Sequence, residues 1–453
     1  MADRPLIVAP MAPAPFAERK LHFVGIGGAG MSGLALVVKT LGAHVTGSDR
    51  SHSSYAARLR DNGIEPAIGH AAANVPAGAE LVVSTAIAED NPELAAARAA
   101  GAPVHHRGEL LGEVSRLKRC IAVSGTHGKT TTSGMAAHAL AACGREPAFL
   151  IGGELRSKGT NAAWGEGEWI VVEPDESDRS FLHLACDVAV VTNAELDHHA
   201  TYRSLSELQA AFHEFAAPAQ VRIAGPGAEL DDALTYGIGQ GDLAAEGVTL
   251  RPLGSAFSVE GVEVCLNVPG EHNVLNALAA LAACRAAGLE PAEAGPALAS
   301  YTGTGRRFED RGHTSSGARV FDDYAHHPTE VRATLQAART LGADRVVACF
   351  QPHLYSRTQE LAREFGLSLA LADLVVVCDV YPAREVAEDY PGVSGYTVAR
   401  QAARAARGRP VWWVPSLEQA AERLEGELRE GDALLTLGAG DVDRVAAALV
   451  DQA

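Results

Sequence analysis

Short apolar runs recur along the whole chain, at 21–24, 81–84, 120–123, 169–172, 188–192, 319–321, 345–350, 374–378, 411–414 and 433–437. They show little polar alternation, which predicts strands buried on both faces, as in parallel sheets. Between them lie stretches with helical spacing, the clearest at 129–142, 205–215 and 273–287. Strand and helix alternate throughout, which argues for α/β layers. Two stretches interrupt the pattern, Leu117-Lys118-Arg119 and Gly303-Thr304-Gly305. Three α/β domains in series are therefore expected, over 1–117, 118–308 and 309–453, since the chain is too long for one ordinary core. The longest apolar run, 367–380, contains Asp373 and Asp379 and reads as a helix end followed by a buried strand rather than a membrane span. The apolar Leu6-Ile7-Val8-Ala9 is soon broken by prolines and predicts neither a signal peptide nor a helix.

The loops after the strands carry the candidate chemistry. Ser124-Gly125-Thr126-His127-Gly128-Lys129-Thr130-Thr131-Thr132 joins the strand at 120–123 to the helix at 129–142, which Gly144 stops. Such a loop lets backbone N–H groups point at phosphate oxygens. Lys129 adds a charge for the β- and γ-phosphates, and the Thr130 hydroxyl can ligate Mg²⁺. Its spacing departs from the common phosphate loop, with Val123 where a glycine is usual. ATP is the expected ligand. Near the N-terminus, Gly25, Gly27, Gly28 and Gly30, with Asp49 after the second strand, form a Rossmann-like fingerprint. Its physics is a helix N-terminus bared to a diphosphate, which serves UDP as well as NAD. The extra Gly28 and Gly33 and the separate ATP loop do not suit a dehydrogenase.

Glu173 ends the strand at 169–172, where a Mg²⁺-coordinating acid is needed. Asp175, Glu176 and Asp178 read as a solvated loop or helix start. His198 follows the next strand in the same crevice and is a candidate ligand for a second metal, with His199 facing away. His272 and Asn276 lie one helical turn apart and can hold an adenine edge. In the last segment, Asp322-Asp323-Tyr324-Ala325-His326-His327-Pro328 and Gln351-Pro352-His353-Leu354-Tyr355-Ser356-Arg357-Thr358 each join a strand to a helix. Polar groups at two consecutive strand ends are placed for a ligand. Leu437-Gly438-Ala439-Gly440-Asp441 reads as a turn with a helix cap.

Charge narrows the classes. A formal net charge of −18 disfavours a nucleic-acid partner, which would require a basic face. The 7 cysteines are scattered, without C-x-x-C spacing, and imply buried, inert thiols in a reducing cytoplasm.

Together these motifs resemble the Mur ligases over nearly the whole chain and in the right order. The likeness rests on Gly-Ile-Gly-Gly-Ala-Gly-Met-Ser-Gly, Gly-Thr-His-Gly-Lys-Thr-Thr-Thr, Glu-Pro-Asp-Glu-Ser-Asp, Asp-Asp-Tyr-Ala-His-His-Pro-Thr-Glu and Gln-Pro-His-Leu-Tyr-Ser-Arg-Thr. Within the family it points to the members that join L-alanine to the lactyl carboxylate of UDP-N-acetylmuramate through an acyl phosphate, at the expense of ATP. It implies an N-terminal UDP-sugar domain, a central P-loop ATPase with a mostly parallel sheet, and a C-terminal Rossmann-like amino-acid domain. By the same resemblance Thr130 and Glu173 hold one Mg²⁺, and Glu173 with His198 a second. Gly125, Thr126, His127, Gly128, Lys129, Thr130, Thr131, His272, Asn276, Arg307 and Asp322 meet ATP. Gly25, Gly27, Gly28, Gly30, Asp49, His70 and Ser84 meet the UDP-sugar. Tyr324, His326, His353 and Arg357 meet the amino acid or the γ-phosphate. The catalytic set is Lys129, Glu173, His198, His326 and Arg357, in a cytoplasmic monomer or homodimer.

Three departures stand out. Leu354 replaces a usual arginine, Ala200 replaces a usual aspartate two residues after the metal histidine, and the stretch between His213 and Tyr236 is short. Family members that add later residues share a carbamoylated lysine downstream of that histidine. The lysines here are Lys20, Lys39, Lys118, Lys129 and Lys158, none of them beyond His198. Three alternatives stay open: a murein tripeptide ligase of the same family, an NAD-dependent oxidoreductase, and a nucleotide-binding regulator with no ligase activity.

Overall fold

The computed structural model describes residues 14–51, 53–197 and 201–450. The expectations placed on Leu6-Ile7-Val8-Ala9, His198, His199 and Ala200 fall outside these residues. The chain divides into two compact units, Met1–Leu117 with Ala162–Trp164, and Lys118–Asn161 with Gly165–Ala453.

The first unit is built on a parallel sheet in the order Ala67–Ile68, His44–Asp49, Lys20–Val24, Glu80–Val83, Val104–His106. Chain order reverses between Lys20–Val24 and Glu80–Val83. Their C-terminal ends therefore flank the crevice where open α/β sheets bind ligands. Gly25, at φ +77°, turns the chain there into the helix Ala29–Thr40.

The second unit holds two sheets. One has a parallel centre, Ala148–Leu155, Trp169–Val172, Arg119–Ser124, Val188–Val191, Val221–Ala224 and Leu234–Ile238. Beyond it Leu243–Arg251 adds in parallel and starts the antiparallel run through Gly254–Val259 to Val262–Leu266. Trp169–Val172 and Val188–Val191 are buried at every position, as their unbroken apolar character requires. The helices Lys129–Ala142 and Glu271–Ala286 are buried along most of their length, polar Thr130 and Asn273 of their first turns included.

The other sheet runs Glu309–His313, Arg319–Asp323, Asp432–Leu437, Arg345–Phe350, Leu374–Val377, Val411–Trp413, parallel except for its first strand. Alternate residues feed different cores. Phe321, Ala348, Phe350 and Leu435 pack together, while Val320, Val347, Cys349 and Leu434 pack in a separate cluster. This two-residue period decides which acids face the site. All seven cysteines are free thiols. Five are buried as expected, but Cys143 and Cys265 are half-buried. Among the described residues no helix is long and apolar enough to cross a membrane.

Candidate active site

The phosphate loop connects Arg119–Ser124 to Lys129–Ala142 and admits no side chain at two of its glycines. Gly125 (φ +122°) would place a Cβ 2.2 Å from Thr192 Oγ1, and Gly128 (φ +82°) one 2.2 Å from Asn276 Oδ1. Two loop N–H groups are already used within the protein. Thr126 N–H donates to the Asn193 carbonyl at 3.1 Å, and His127 N–H to Asn193 Oδ1 at 3.0 Å. The first turn of the helix, from Gly128 onward, carries the remaining donors.

Lys129 Nζ donates to the Gly125 carbonyl at 2.7 Å, the Thr126 carbonyl at 3.1 Å and Glu176 Oε1 at 2.7 Å. Burial disfavours the ammonium, but the Glu176 carboxylate outweighs it and lifts the lysine pKa. Glu176 is thus no solvated loop residue: it is buried and paired. Thr130 Oγ1 donates to Glu173 Oε1 at 2.7 Å, and the other Glu173 oxygen accepts the Gly152 N–H at 2.6 Å. Arg307 approaches the same hydroxyl at 3.4 Å. A hydroxyl and a carboxylate in contact are hard oxygen donors and fit Mg²⁺.

A cavity of about 420 Å³ opens beside this loop. Its lining includes His127, Gly128, Thr131, His272, Asn276, Arg307 and Asp323. Asn276 is fixed in it, accepting from Thr132 Oγ1 at 3.3 Å and donating to Asn273 Oδ1 at 3.0 Å. Burial pushes His272 down to about 4, so its ring is neutral near pH 7. Asp322 does not face the cavity, which corrects the sequence expectation. It is fully buried, accepting from Arg306 Nε at 2.8 Å and Thr436 Oγ1 at 2.7 Å. The next residue, Asp323, points to the other side of the strand and lines the cavity, where burial raises it to about 6. The turn at Gly438 and Gly440 does more than cap a helix, because both carbonyls accept from Arg306.

Tyr324, His326 and His353 stand together, with ring centroids 5.5 Å and 5.9 Å apart in sequence. Burial lowers His326 to about 4 and His353 to about 3. Arg357 is buried, and its fork closes on Asp197, with three contacts of 3.1–3.2 Å. A fourth contact, 3.3 Å, reaches His353 Nδ1. Leu354 stands at φ +70°, a strained setting for a branched side chain.

One cluster escaped sequence reasoning, although His127, His327, Thr329 and Glu330 lie within motifs that were singled out. His127 Nε2 is 3.1 Å from Glu195 Oε2, and Nδ1 is 3.3 Å from Glu330 Oε1. Thr329 Oγ1 donates to Glu195 Oε1 at 2.8 Å, and the His327 ring lies 4.7 Å from that of His127. Burial opposes charge on His127, but the two carboxylates raise it to about 9. Ligand atoms of His127, Glu195 and His327 fall within 4.8 Å, a spacing that could hold a metal. Proton placement argues otherwise. Both nitrogens of His127 face acceptors, and His327 Nδ1 accepts the Thr329 N–H at 3.4 Å, leaving the proton on Nε2. The group is an imidazolium held between carboxylates.

In the first unit Asp49 Oδ2 accepts the Gly27 N–H at 2.8 Å, so this carboxylate braces the glycine loop. Gly25, Gly28 and Gly30 complete that loop, and a Cβ at Gly30 would stand 3.3 Å from Arg107. Ser84 opens the turn after the strand Glu80–Val83. His70 Nδ1 lies 2.9 Å from Ser48 Oγ.

Three family models cover most of the chain. They are the catalytic domain of the Mur ligase family at residues 20–119, the Mur ligase middle domain at 123–284, and the Mur ligase glutamate ligase domain at 306–440. The chain is 45% identical to the UDP-N-acetylmuramate–L-alanine ligase of Acidithiobacillus ferrooxidans, over 95% of this chain and 97% of that one. It is also 45% identical to the protein so named in Streptomyces coelicolor, over 98% and 99%. Among solved structures, the UDP-N-acetylmuramate–alanine ligase of Thermotoga maritima superposes with a TM-score of 0.83 at 31% identity, over 96% of this chain and 98% of that one. A murein peptide ligase from Psychrobacter arcticus gives a TM-score of 0.71 at 25% identity, over 95% and 98%.

Proposed function

The chain belongs to the Mur ligase family, and we propose that it joins L-alanine to UDP-N-acetylmuramate, consuming ATP. One observation carries the reading. Lys129, Thr130, Glu173 and Arg307 converge beside the cavity that His272 and Asn276 line, in a chain 45% identical over nearly its full length to ligases of that name. The murein peptide ligase is the more distant structural neighbour.

Lys129 and the first turn of its helix would receive the β- and γ-phosphates. Thr130 and Glu173 would hold one Mg²⁺, and Glu173 with His198 a second; bound there, the ions would offset charge on the phosphates. The lactyl carboxylate attacks the γ-phosphorus, giving an acyl phosphate and ADP. The amine of alanine, having lost a proton, then attacks the acyl carbon, and phosphate leaves as the amide forms. Lys129 and Arg307 stabilise negative charge as it gathers on the transferred group. Tyr324, His326 and His353 would form the amino-acid side of the site, and Arg357 would position that side through Asp197. The glycine loop from Gly25 to Gly30, Asp49, His70 and Ser84 would take the UDP moiety. The functional domains are taken as 1–117, 118–308 and 309–453, in a cytoplasmic enzyme of peptidoglycan precursor synthesis. The test supplies ATP, Mg²⁺ and UDP-N-acetylmuramate with L-alanine, glycine or L-serine in turn, and follows phosphate and the amide. Amide formation with alanine is expected. Phosphate release that ignores the amino acid, or a product formed only with a tripeptide, would refute the reading.

A further inference from the structure

In the first unit the helix Pro92–Ala99 carries Glu93 in its first turn, and that side chain is 0% exposed. Its Oε1 accepts the Ala71 N–H at 3.1 Å and Asn74 Nδ2 at 2.6 Å. Its Oε2 accepts from Ser48 Oγ at 2.5 Å and faces His22 Nε2 at 3.4 Å. Burial pushes this carboxyl up, but the donors from His22, Ser48, Asn74 and Ala71 outweigh it and hold it at about 2. Near neutral pH Glu93 is therefore an acceptor only. Ser48 Oγ also lies 2.9 Å from His70 Nδ1. A serine has one proton, and here Glu93 takes it. The serine oxygen must then accept from His70, so Nδ1 carries the hydrogen and, of the two ring tautomers, the one with the lone pair on Nε2 is selected. Nε2 makes no hydrogen bond among the described residues. The ring, 13% exposed, follows Gly69, whose N–H donates to the carbonyl of Asp49. The Asp49 side chain in turn braces the glycine loop.

We propose that Glu93 is a positioning residue which, through Ser48, fixes His70 as the Nδ1–H tautomer and so presents Nε2 as an acceptor for the imide N3–H of a uracil ring. The proposal rests on the UDP-sugar reading of this unit. Uracil carries a hydrogen at N3, whereas cytosine carries a lone pair there, which would face the lone pair of His70. The relay thereby selects uridine over cytidine nucleotides by proton placement.

Glu93→Gln turns the relay around. The backbone N–H of Ala71 cannot become an acceptor, so the glutamine oxygen must stay on that side and its NH₂ must face Ser48. Ser48 then accepts from Gln and donates to His70 Nδ1, moving the ring proton to Nε2. The experiment uses full-length protein with ¹⁵N-labelled histidine, with His70 assigned by the signal lost in His70→Asn. Ring tautomers are read by NMR, and binding of UDP and CDP by calorimetry, so neither readout needs turnover. Expected are the Nδ1–H tautomer in wild type, the Nε2–H tautomer in Glu93→Gln, and about tenfold weaker UDP binding in the variant, the worth of one hydrogen bond. The preference for UDP over CDP should fall with it. If Glu93→Gln does not fold, Ser48→Ala cuts the relay while leaving Glu93 its other donors, and a mixture of tautomers with weaker UDP binding is expected. An Nε2–H ring in wild type, or variants that keep both the Nδ1–H ring and UDP affinity, would overturn the positioning role. Tautomers that respond as expected in a protein that binds no UDP would instead overturn the nucleotide assignment.

Discussion

The imidazolium of His127 can be tested through its partner Glu330. Glu330→Gln removes one charge while keeping an acceptor for the backbone N–H groups of His326 and His327, at 3.0 Å and 3.3 Å, so the cap of the following helix survives. In the wild type two carboxylates stand 3.1 Å and 3.3 Å from the ring nitrogens. At an effective dielectric constant of about 20, each attraction is worth on the order of 5 kcal/mol before the cost of burial is deducted. The net result is a pKa raised from 6.5 to about 9, and (9 − 6.5) × 1.36 gives about 3 kcal/mol. One carboxylate contributes more than this net gain, so its removal should return His127 to or below its ordinary value.

The sign follows from linkage. A raised folded pKa contributes stability in full below the unfolded value of 6.5 and loses it as pH rises through about 9. The variant lacks this contribution. The difference between wild type and Glu330→Gln should therefore be about 3 kcal/mol near pH 6.5, about 2 kcal/mol at pH 7.5, and close to a constant offset above pH 9.5. Urea unfolding of the full chain at four pH values measures the slope, and NMR titration of His127 measures the pKa itself. A difference independent of pH, or a wild-type His127 that titrates near 6.5, would refute the reasoning.

Lys129→Ala should lower turnover by about a hundredfold or more, because it removes the charge that Nζ holds against Glu176 and the loop carbonyls; near wild-type turnover would rule out the assignment. Glu173→Ala should lower the rate and raise the Mg²⁺ concentration needed for half-maximal activity, which a metal titration reads. Arg357→Lys replaces a fork by a point charge and loses the bidentate grip on Asp197. It should raise the KM for alanine several-fold more than that for ATP, and equal effects would place Arg357 elsewhere. Since no lysine follows Lys158, activity in degassed buffer at fixed pH should be unchanged by added bicarbonate. A several-fold activation would assign a carbamate to an upstream lysine.

The sequence made the local chemistry legible where one element determined it. Cys120 to Val123 and the pattern from Lys129 to Ala142 gave a strand and a helix whose bounds in the structure are Arg119–Ser124 and Lys129–Ala142. The antiparallel run at Gly254–Val259 and Val262–Leu266 was not foreseen, because Gly254, Ser255 and Ser258 interrupt the apolar character of the first strand although it is mostly buried, and the second alternates inward and outward positions. Choosing between Asp322 and Asp323 needed the strand's phase against its neighbours. Thr436 lies opposite Asp322 and donates its hydroxyl to that carboxylate, and a count of apolar residues cannot supply that register.

The pairings beyond reach of the sequence share a physical cause. Lys129 with Glu176, Arg357 with Asp197 and His127 with Glu330 each join groups far apart in the chain. Each sets a partly or fully buried cation against a resident carboxylate. A partly buried charge left alone is costly, so a site built to receive phosphates must satisfy its cations from within. A phosphate reaching Lys129 therefore competes with Glu176 for a charge already partnered, and the net gain is the difference between two attractions. The same exchange explains why Glu176 reads as a solvated acid in sequence yet is buried in the fold: its charge is tolerated there because Lys129 is 2.7 Å away. Glu176→Gln should accordingly leave Lys129 less well held, lowering its pKa while removing the competitor for phosphate. Tighter ATP binding with reduced stability is the expected pair of effects. Looser ATP binding would mean that Glu176 serves the nucleotide directly rather than holding its lysine in place.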